Sequence, residues 1–185
     1  MQNITGALMS GDRVIATVKN GVITEANDKL LPLYLKRTGN IEGWLASRAI
    51  DSHRPNSRLL KRALRLRSTD DVQTVLAVNA AAVTDRYWFR PEGSAAAYED
   101  IRFKENCFAE LALWGDPDSF SRKPSRTPEL TNTGSFEKCW KLIDGEWWMY
   151  KSGNDKERFS ELFICKLCER LGLSTAHYEL DGQYI

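Results

Sequence analysis

Two stretches of this chain alternate apolar and polar residues as strands do, and the segments between and after them carry helical spacing. Ala7-Leu-Met and Val14-Ile-Ala-Thr-Val alternate, and Lys19-Asn-Gly21 turns the chain into Val22-Ile-Thr, so a β-hairpin is expected within Gly6 to Glu25. Asn40 to Ile50 places Ile41, Trp44, Leu45 and Arg48 on one side of a helix, with Asn40 as N-cap and Glu42 in the first turn. A second helix is expected from about Pro55 to Leu66, with Leu59, Leu60, Ala63, Leu64 and Leu66 on its apolar face. A third starts near Asp70 and ends before Thr84. The run Tyr87-Trp-Phe89 reads as core or buried interface, followed by a turn at Arg90-Pro-Glu-Gly93. Tyr98 to Phe108 is mixed and has room for one short strand, and Trp114-Gly-Asp-Pro-Asp-Ser119 is loop chemistry.

The run from Phe120 to Thr131 lacks apolar periodicity, which predicts a linker over 120–130. The domain reading is therefore an N-terminal α/β module at 1–119 and a second unit at 131–185. In that unit Phe136 to Ile143 alternates, Asp144-Gly145 turns, and Glu146 to Lys151 returns as a paired strand. A helix is expected from about Glu157 to Leu171, closed by Gly172 and carrying a wide apolar surface. Thr175 to Leu180 reads as a strand, Asp181-Gly182 as a turn, and Tyr184 as the start of a further strand that more sequence would complete. The fold class expected is α+β: an antiparallel sheet with one packed helix, preceded by a small α/β module.

Composition removes several classes of function. Basic and acidic residues nearly cancel, 26 against 25, so the overall field favours neither nucleic acid nor a membrane surface. One local exception is the stripe Arg58, Lys61, Arg62 and Arg65 on the second helix, which reads as a solvated face and, with less weight, as a surface for nucleic acid or an acidic partner. Neither a spanning apolar segment nor a leader-like start is present, which points to a cytoplasmic protein without a membrane partner. Cys107, Cys139, Cys165 and Cys168 are expected as reduced thiols, and Cys165-Lys-Leu-Cys168 as core cysteines, because no second pair stands at zinc-ligand spacing. His53 and His177 look isolated, which argues against a metal or acid–base role for either.

The most informative chemistry lies in the last third. A polar loop, Thr131-Asn-Thr-Gly-Ser135, can bend tightly and turn backbone N–H groups towards phosphate oxygens, and a lysine at the end of the following hairpin, Lys151, can meet the same phosphates. Glu161 on the next helix can hold that lysine in place. Plainer readings remain open beside this one: Lys151 as a solvated strand-end lysine, and the loop as an ordinary turn.

Thr131-Asn-Thr-Gly-Ser-Phe-Glu-Lys138, Trp148-Met-Tyr-Lys151 and Phe159-Ser-Glu-Leu-Phe163 through Leu171-Gly-Leu173 together resemble the HipA-like serine/threonine kinases. These are the toxin class of bacterial toxin–antitoxin modules, and the likeness is strongest to HipA-domain proteins of Gram-positive bacteria and their phages. It covers about 84–185, including Thr84 to Phe89 and Pro91-Glu-Gly93, and is weaker over 1–83. The resemblance implies a kinase N-lobe that binds ATP with magnesium. Lys151 would contact the phosphates and Glu161 would support it, with Thr133, Gly134, Ser135 and Lys138 in the phosphate loop. It also implies Thr131 and Thr133 as candidate positions for inhibitory phosphorylation, since added negative charge there repels ATP.

A kinase also needs a catalytic Asp and magnesium-holding Asn and Asp residues, which the family carries in a C-terminal lobe. They are not expected among the residues after Lys151, so nucleotide binding without phosphoryl transfer is expected of this chain alone. The partner implied is a separate protein carrying that lobe, or an antitoxin-type protein. The alternative function is a non-catalytic interaction or regulatory protein that keeps the lobe as a scaffold.

Overall fold

The structure, a computed structural model, describes residues 4–66, 70–115 and 126–185. Its first strands are β1 (Gly6–Ser10), β2 (Arg13–Lys19) and β3 (Val22–Ala26), which form an antiparallel meander. A fourth strand, β4 (Tyr87–Pro91), pairs antiparallel with the open edge of β1 and gives the order β3-β2-β1-β4. The sequence suggested only a hairpin here and left Tyr87-Trp-Phe89 as core aromatics. The aromatics are indeed core, but they reach it as a strand.

Pairing explains their burial. Leu8 sits opposite Phe89 and Met9 opposite Trp88. Neighbouring residues of a strand face opposite sides, so Leu8 and Phe89 enter one apolar cluster while Met9 and Trp88 enter another. Trp88 is fully buried because its indole N–H donates to the Gly11 carbonyl at 2.8 Å.

Helices α1 (Leu33–Thr38), α2 (Ile41–Ser47) and α3 (Ser57–Ala63) follow the meander, and α4 (Asp71–Leu76) precedes β4. Asn40 caps α2 by accepting from the Gly43 N–H at 2.9 Å, as the sequence predicted, and Asp70 does the same for α4 with Gln73 at 2.8 Å. Leu35, Ile41, Trp44, Leu45, Val72 and Val75 cover the first sheet face. The third expected helix is shorter than its apolar pattern suggested, ending at Leu76. The region read as a short strand holds instead α5 (Tyr98–Ile101), whose start is closed by the Asp100 carboxylate accepting from the Ala97 N–H. Beyond it lies α6 (Ala109–Trp114), and the loop expected after Trp114 lies outside the described residues from 116 onward.

The expected linker is corrected in its second half. Residues 120–125 lie outside the described set, but Pro128–Thr131 form a 3-10 turn whose Glu129 and Leu130 are completely buried. Leu130 joins the Met9 and Trp88 cluster, and its carbonyl accepts from the Ile50 N–H at 2.8 Å. The polar composition misled because Glu129 is buried as a hydrogen-bonded ion, with no apolar period to signal it.

The chain ends in the hairpin β5 (Lys138–Ile143) and β6 (Glu146–Lys151), followed by α7 (Asp155–Arg170). Cys139 on β5 packs with Ile50, Leu60, Phe108 and Leu111, so the hairpin shares its core with α3 and α6. Burial pushes the Cys139 thiol up to about 12, which leaves it an inert core group. Overall the architecture is mixed α+β, with the larger sheet in the N-terminal part. Among the described residues the second unit contributes a two-stranded hairpin rather than a full sheet, and Thr175 to Leu180 forms no strand. No described helix is long and apolar enough to cross a membrane.

Candidate functional site

The β5–β6 register places Lys138 directly opposite Lys151 at the open end of the hairpin. Cross-strand partners share a face, so two ammonium groups approach one another there. Lys151 is answered by Glu161, with which it forms an ion pair. That pairing depends on how α7 begins. Ser152 and Gly153 end the strand, and Asn154 caps the helix by accepting from the Lys156 and Glu157 N–H groups at 3.0 and 3.1 Å. Glu157 returns a bond from its carboxylate to the Asn154 N–H at 3.0 Å, completing a capping box. Two turns further along, Glu161 faces back to β6.

Lys138 is different. It is buried, and no ion pair to it occurs among the described residues. Burial, then the neighbouring Arg54 and Lys151 charges, push its ammonium below the usual lysine range. Directly over it lies the exposed bend Thr133–Phe136. Gly134 has φ +103°, a conformation that favours glycine, and its backbone comes so close that a Cβ built on it would fall on the Lys138 ammonium. The centroid of the Phe136 ring lies 6.0 Å from the Lys151 ammonium. Of the residues the sequence singled out, Gly134, Lys138, Lys151 and Glu161 lie together, and Thr133 and Ser135 flank Gly134 on the exposed loop.

Thr131 is not part of this surface. It is buried, and its hydroxyl donates to the Ala81 carbonyl at 2.7 Å, so of the two threonines considered for phosphorylation only Thr133 is exposed. The basic stripe is likewise broken. Lys61 is 1% exposed and bound to Asp71 at 3.0 Å, leaving Arg58, Arg62 and Arg65 in solvent without a fourth member, and Arg65 lies past the helix end.

Lys138, Lys151 and Glu161 line one wall of a cleft of about 720 Å³, and residues 176–181 with Tyr184 and Ile185 form the other. The backbone of Ile185 holds this wall against Lys151 through a reciprocal pair of hydrogen bonds at 2.9 and 3.2 Å. One oxygen of Glu161, Oε2, is buried without a hydrogen-bond partner among the described residues. The site thus offers two cations, one carboxylate and a glycine-permitted backbone arc, an arrangement suited to a polyanion.

Behind the site lies a buried network that the sequence did not signal. Glu129 Oε1 accepts from the Trp140 N–H at 2.7 Å and from Asn106 at 2.8 Å, and Oε2 accepts from Asn132 at 2.9 Å and Arg54 at 3.4 Å. Arg54 also donates to the Ala112 carbonyl at 3.1 Å and to the carbonyl of Lys138. Both ions are fully buried, and burial pushes the Glu129 carboxyl up and the Arg54 guanidinium down. The network fixes the start of β5, and with it Lys138.

His177 is not isolated as expected. It approaches Glu169 and Glu179, and Cys165 and Glu169 lie with it in one cluster. The only local signal was the spacing of Cys165 and Glu169, four residues apart on one helix face. Compared with known proteins, the chain matches no protein-family model, no curated protein and no solved structure.

Proposed function

We propose that this chain is a nucleotide-gripping unit of the HipA-like kinase kind, which binds the phosphates of ATP between the Thr133–Phe136 loop and the Lys151–Glu161 pair. The observation that carries the proposal is the placing of the buried Lys138, which makes no ion pair among the described residues, beside the paired Lys151 and against the backbone of Gly134. A cation kept out of water without a counter-ion is costly to the fold, and a bound anion would relieve that cost. The residues fit a triphosphate: Lys138 and Lys151 as cations, backbone at Gly134 and Ser135 as donors, and Glu161 to orient Lys151. Magnesium would arrive on the nucleotide, because the one group of three metal-suited side chains among the described residues lies elsewhere, at Cys165, Glu169 and His177. When bound, ATP would supply a transferable phosphoryl group, and the residues of this chain hold and orient it. The testing experiment is a calorimetric titration with Mg-ATP. Saturable binding that adenosine does not reproduce is expected, and absence of binding would overturn the proposal.

The second reading, an interaction or regulatory protein, is favoured by one observation. The helix α7 turns Glu161, Leu162 and Cys165 inward and leaves Phe159, Phe163, Ile164, Leu167 and Leu171 exposed, the sequence having predicted that this apolar surface would be packed. Phe159 and Phe163 stack on each other with centroids 5.8 Å apart. Such a stripe is larger than scattered surface hydrophobics require and suits a protein partner. Phe163→Glu is expected to lower the fluorescence of an apolar dye bound to the chain, while its thermal midpoint stays nearly fixed, since exposed substitutions shift stability by only about 0.5 kcal/mol.

A further inference from the structure

Helix α7 and the segment that follows it bring together a second set of groups. Cys165 and Glu169 lie one turn apart on α7. After the helix ends, Gly172 reverses the chain, with the Leu173 N–H donating back to the Cys168 carbonyl at 2.9 Å. That reversal returns the chain along the last turn, and His177 comes to rest against the same two residues.

The distances approach those of a coordination shell. One ligand atom from each of the three residues lies within 4.8 Å of the other two. Cys165 Sγ is 3.5 Å from Glu169 Oε1, and His177 Nδ1 is 3.6 Å from that same oxygen. Tetrahedral zinc, with bonds of about 2.3 Å to sulfur and about 2.0–2.2 Å to nitrogen and oxygen, has ligand-to-ligand edges of about 3.4–3.6 Å. An ion can therefore enter with small side-chain adjustments.

Each ligand is also oriented by a neighbour. Glu179 Oε1 lies 2.9 Å from His177 Nε2, so Nε2–H donates to that carboxylate and the Nδ1 lone pair is turned towards Cys165 and Glu169. The Trp148 ring meets the imidazole edge to face, with centroids 6.3 Å apart. Lys166 holds the other Glu169 oxygen, Oε2, at 2.9 Å, leaving Oε1 free for one bond to a metal. Cys165 is 1% exposed, whereas His177 and Glu169 are exposed, which gives a sulfur at the bottom and an entry from solvent.

We propose that Cys165, Glu169 and His177 form a zinc site, with Glu179 as the outer carboxylate that holds the imidazole. The mixed sulfur, nitrogen and oxygen set selects zinc over magnesium or calcium, which take oxygen ligands. Binding releases the Cys165 proton to solvent, and the resulting thiolate and the Glu169 carboxylate balance the ion's two charges. Three protein ligands leave a fourth position. His177 and Glu179 also line the cleft that carries Lys151, so the site adjoins that cleft.

Titration of the metal-free, reduced chain with Co²⁺ tests the site without any nucleotide. One equivalent is expected to raise a near-ultraviolet thiolate-to-cobalt charge-transfer band that Zn²⁺ then abolishes. Cys165→Ser should remove the band, His177→Gln should weaken Zn²⁺ binding at least tenfold, and Glu179→Gln should weaken it roughly tenfold or more. Cys168→Ser should change neither. His177 and Glu179 are exposed, so their variants separate loss of the site from loss of the fold. The proposal is overturned if no charge-transfer band forms, if the band survives Cys165→Ser, or if His177→Gln binds Zn²⁺ as tightly as the original chain.

Discussion

Replacing Glu129 with alanine is expected to lower the unfolding free energy by about 3–5 kcal/mol, the usual consequence of stripping one partner from a buried ion pair. For a domain whose whole stability is about 5–15 kcal/mol, that leaves the variant at the edge of folding. The magnitude follows from what Glu129 holds. Its two oxygens receive Trp140, Asn106, Asn132 and Arg54, and all these donors lie in buried or half-buried surroundings. Without the carboxylate, the Arg54 charge stays buried, where its Nε and Nη1 already have no hydrogen-bond partner among the described residues. Urea unfolding of Glu129→Ala measures the loss. The double variant Glu129→Leu with Arg54→Met should recover a substantial part of it, since an apolar pair of similar volume removes both desolvation penalties. A Glu129→Ala chain that unfolds at the original urea midpoint would show that the network is dispensable.

Lys138→Met should do two opposite things. Stability should rise by roughly 1 kcal/mol, because methionine fills the same space and no longer buries a charge between Arg54 and Lys151. Affinity for Mg-ATP should fall by tenfold or more, the equivalent of a charge-assisted contact of about 1.5–3 kcal/mol. The pH dependence gives a separate check. Burial lowers the Lys138 pKa in the folded state, so between that value and the unfolded lysine value of about 10.4 the unfolded chain binds more protons. Stability from this group therefore rises with pH across that alkaline window, and the rise should vanish in Lys138→Met. A variant that loses stability instead would mean that the ammonium is satisfied in the folded chain and is not held ready for an anion.

Local chemistry made part of this structure legible in the sequence. Asn20-Gly21 and Asp144-Gly145 turn their hairpins with Asn20 and Asp144 at φ 48° and 50°, a conformation these residue types tolerate. Asn40 caps its helix as read, and Lys151 and Glu161 pair because a capping box fixes where α7 starts. What was hidden depends on contacts between distant residues. Nothing near Tyr87 announces that β1 has a free edge waiting for it. Lys61 belongs to a basic stripe by spacing, yet it is buried and paired with Asp71, ten residues on. Glu129 sits in a run of Pro, Ser and Arg that looks like linker, because its donors are scattered from Arg54 to Trp140. His177 looked isolated since its companions lie on the helix before a chain reversal, a relation that spacing alone does not express.

The most direct measurement of the phosphate grip is calorimetry of Mg-ATP and adenosine with the original chain and with Lys151→Met, each checked for an unchanged thermal midpoint. The account predicts that ATP binds the original chain much more tightly than adenosine does, and that Lys151→Met loses tenfold or more of the ATP affinity. Equal affinity for ATP in the two chains, or no preference for ATP over adenosine, would contradict it.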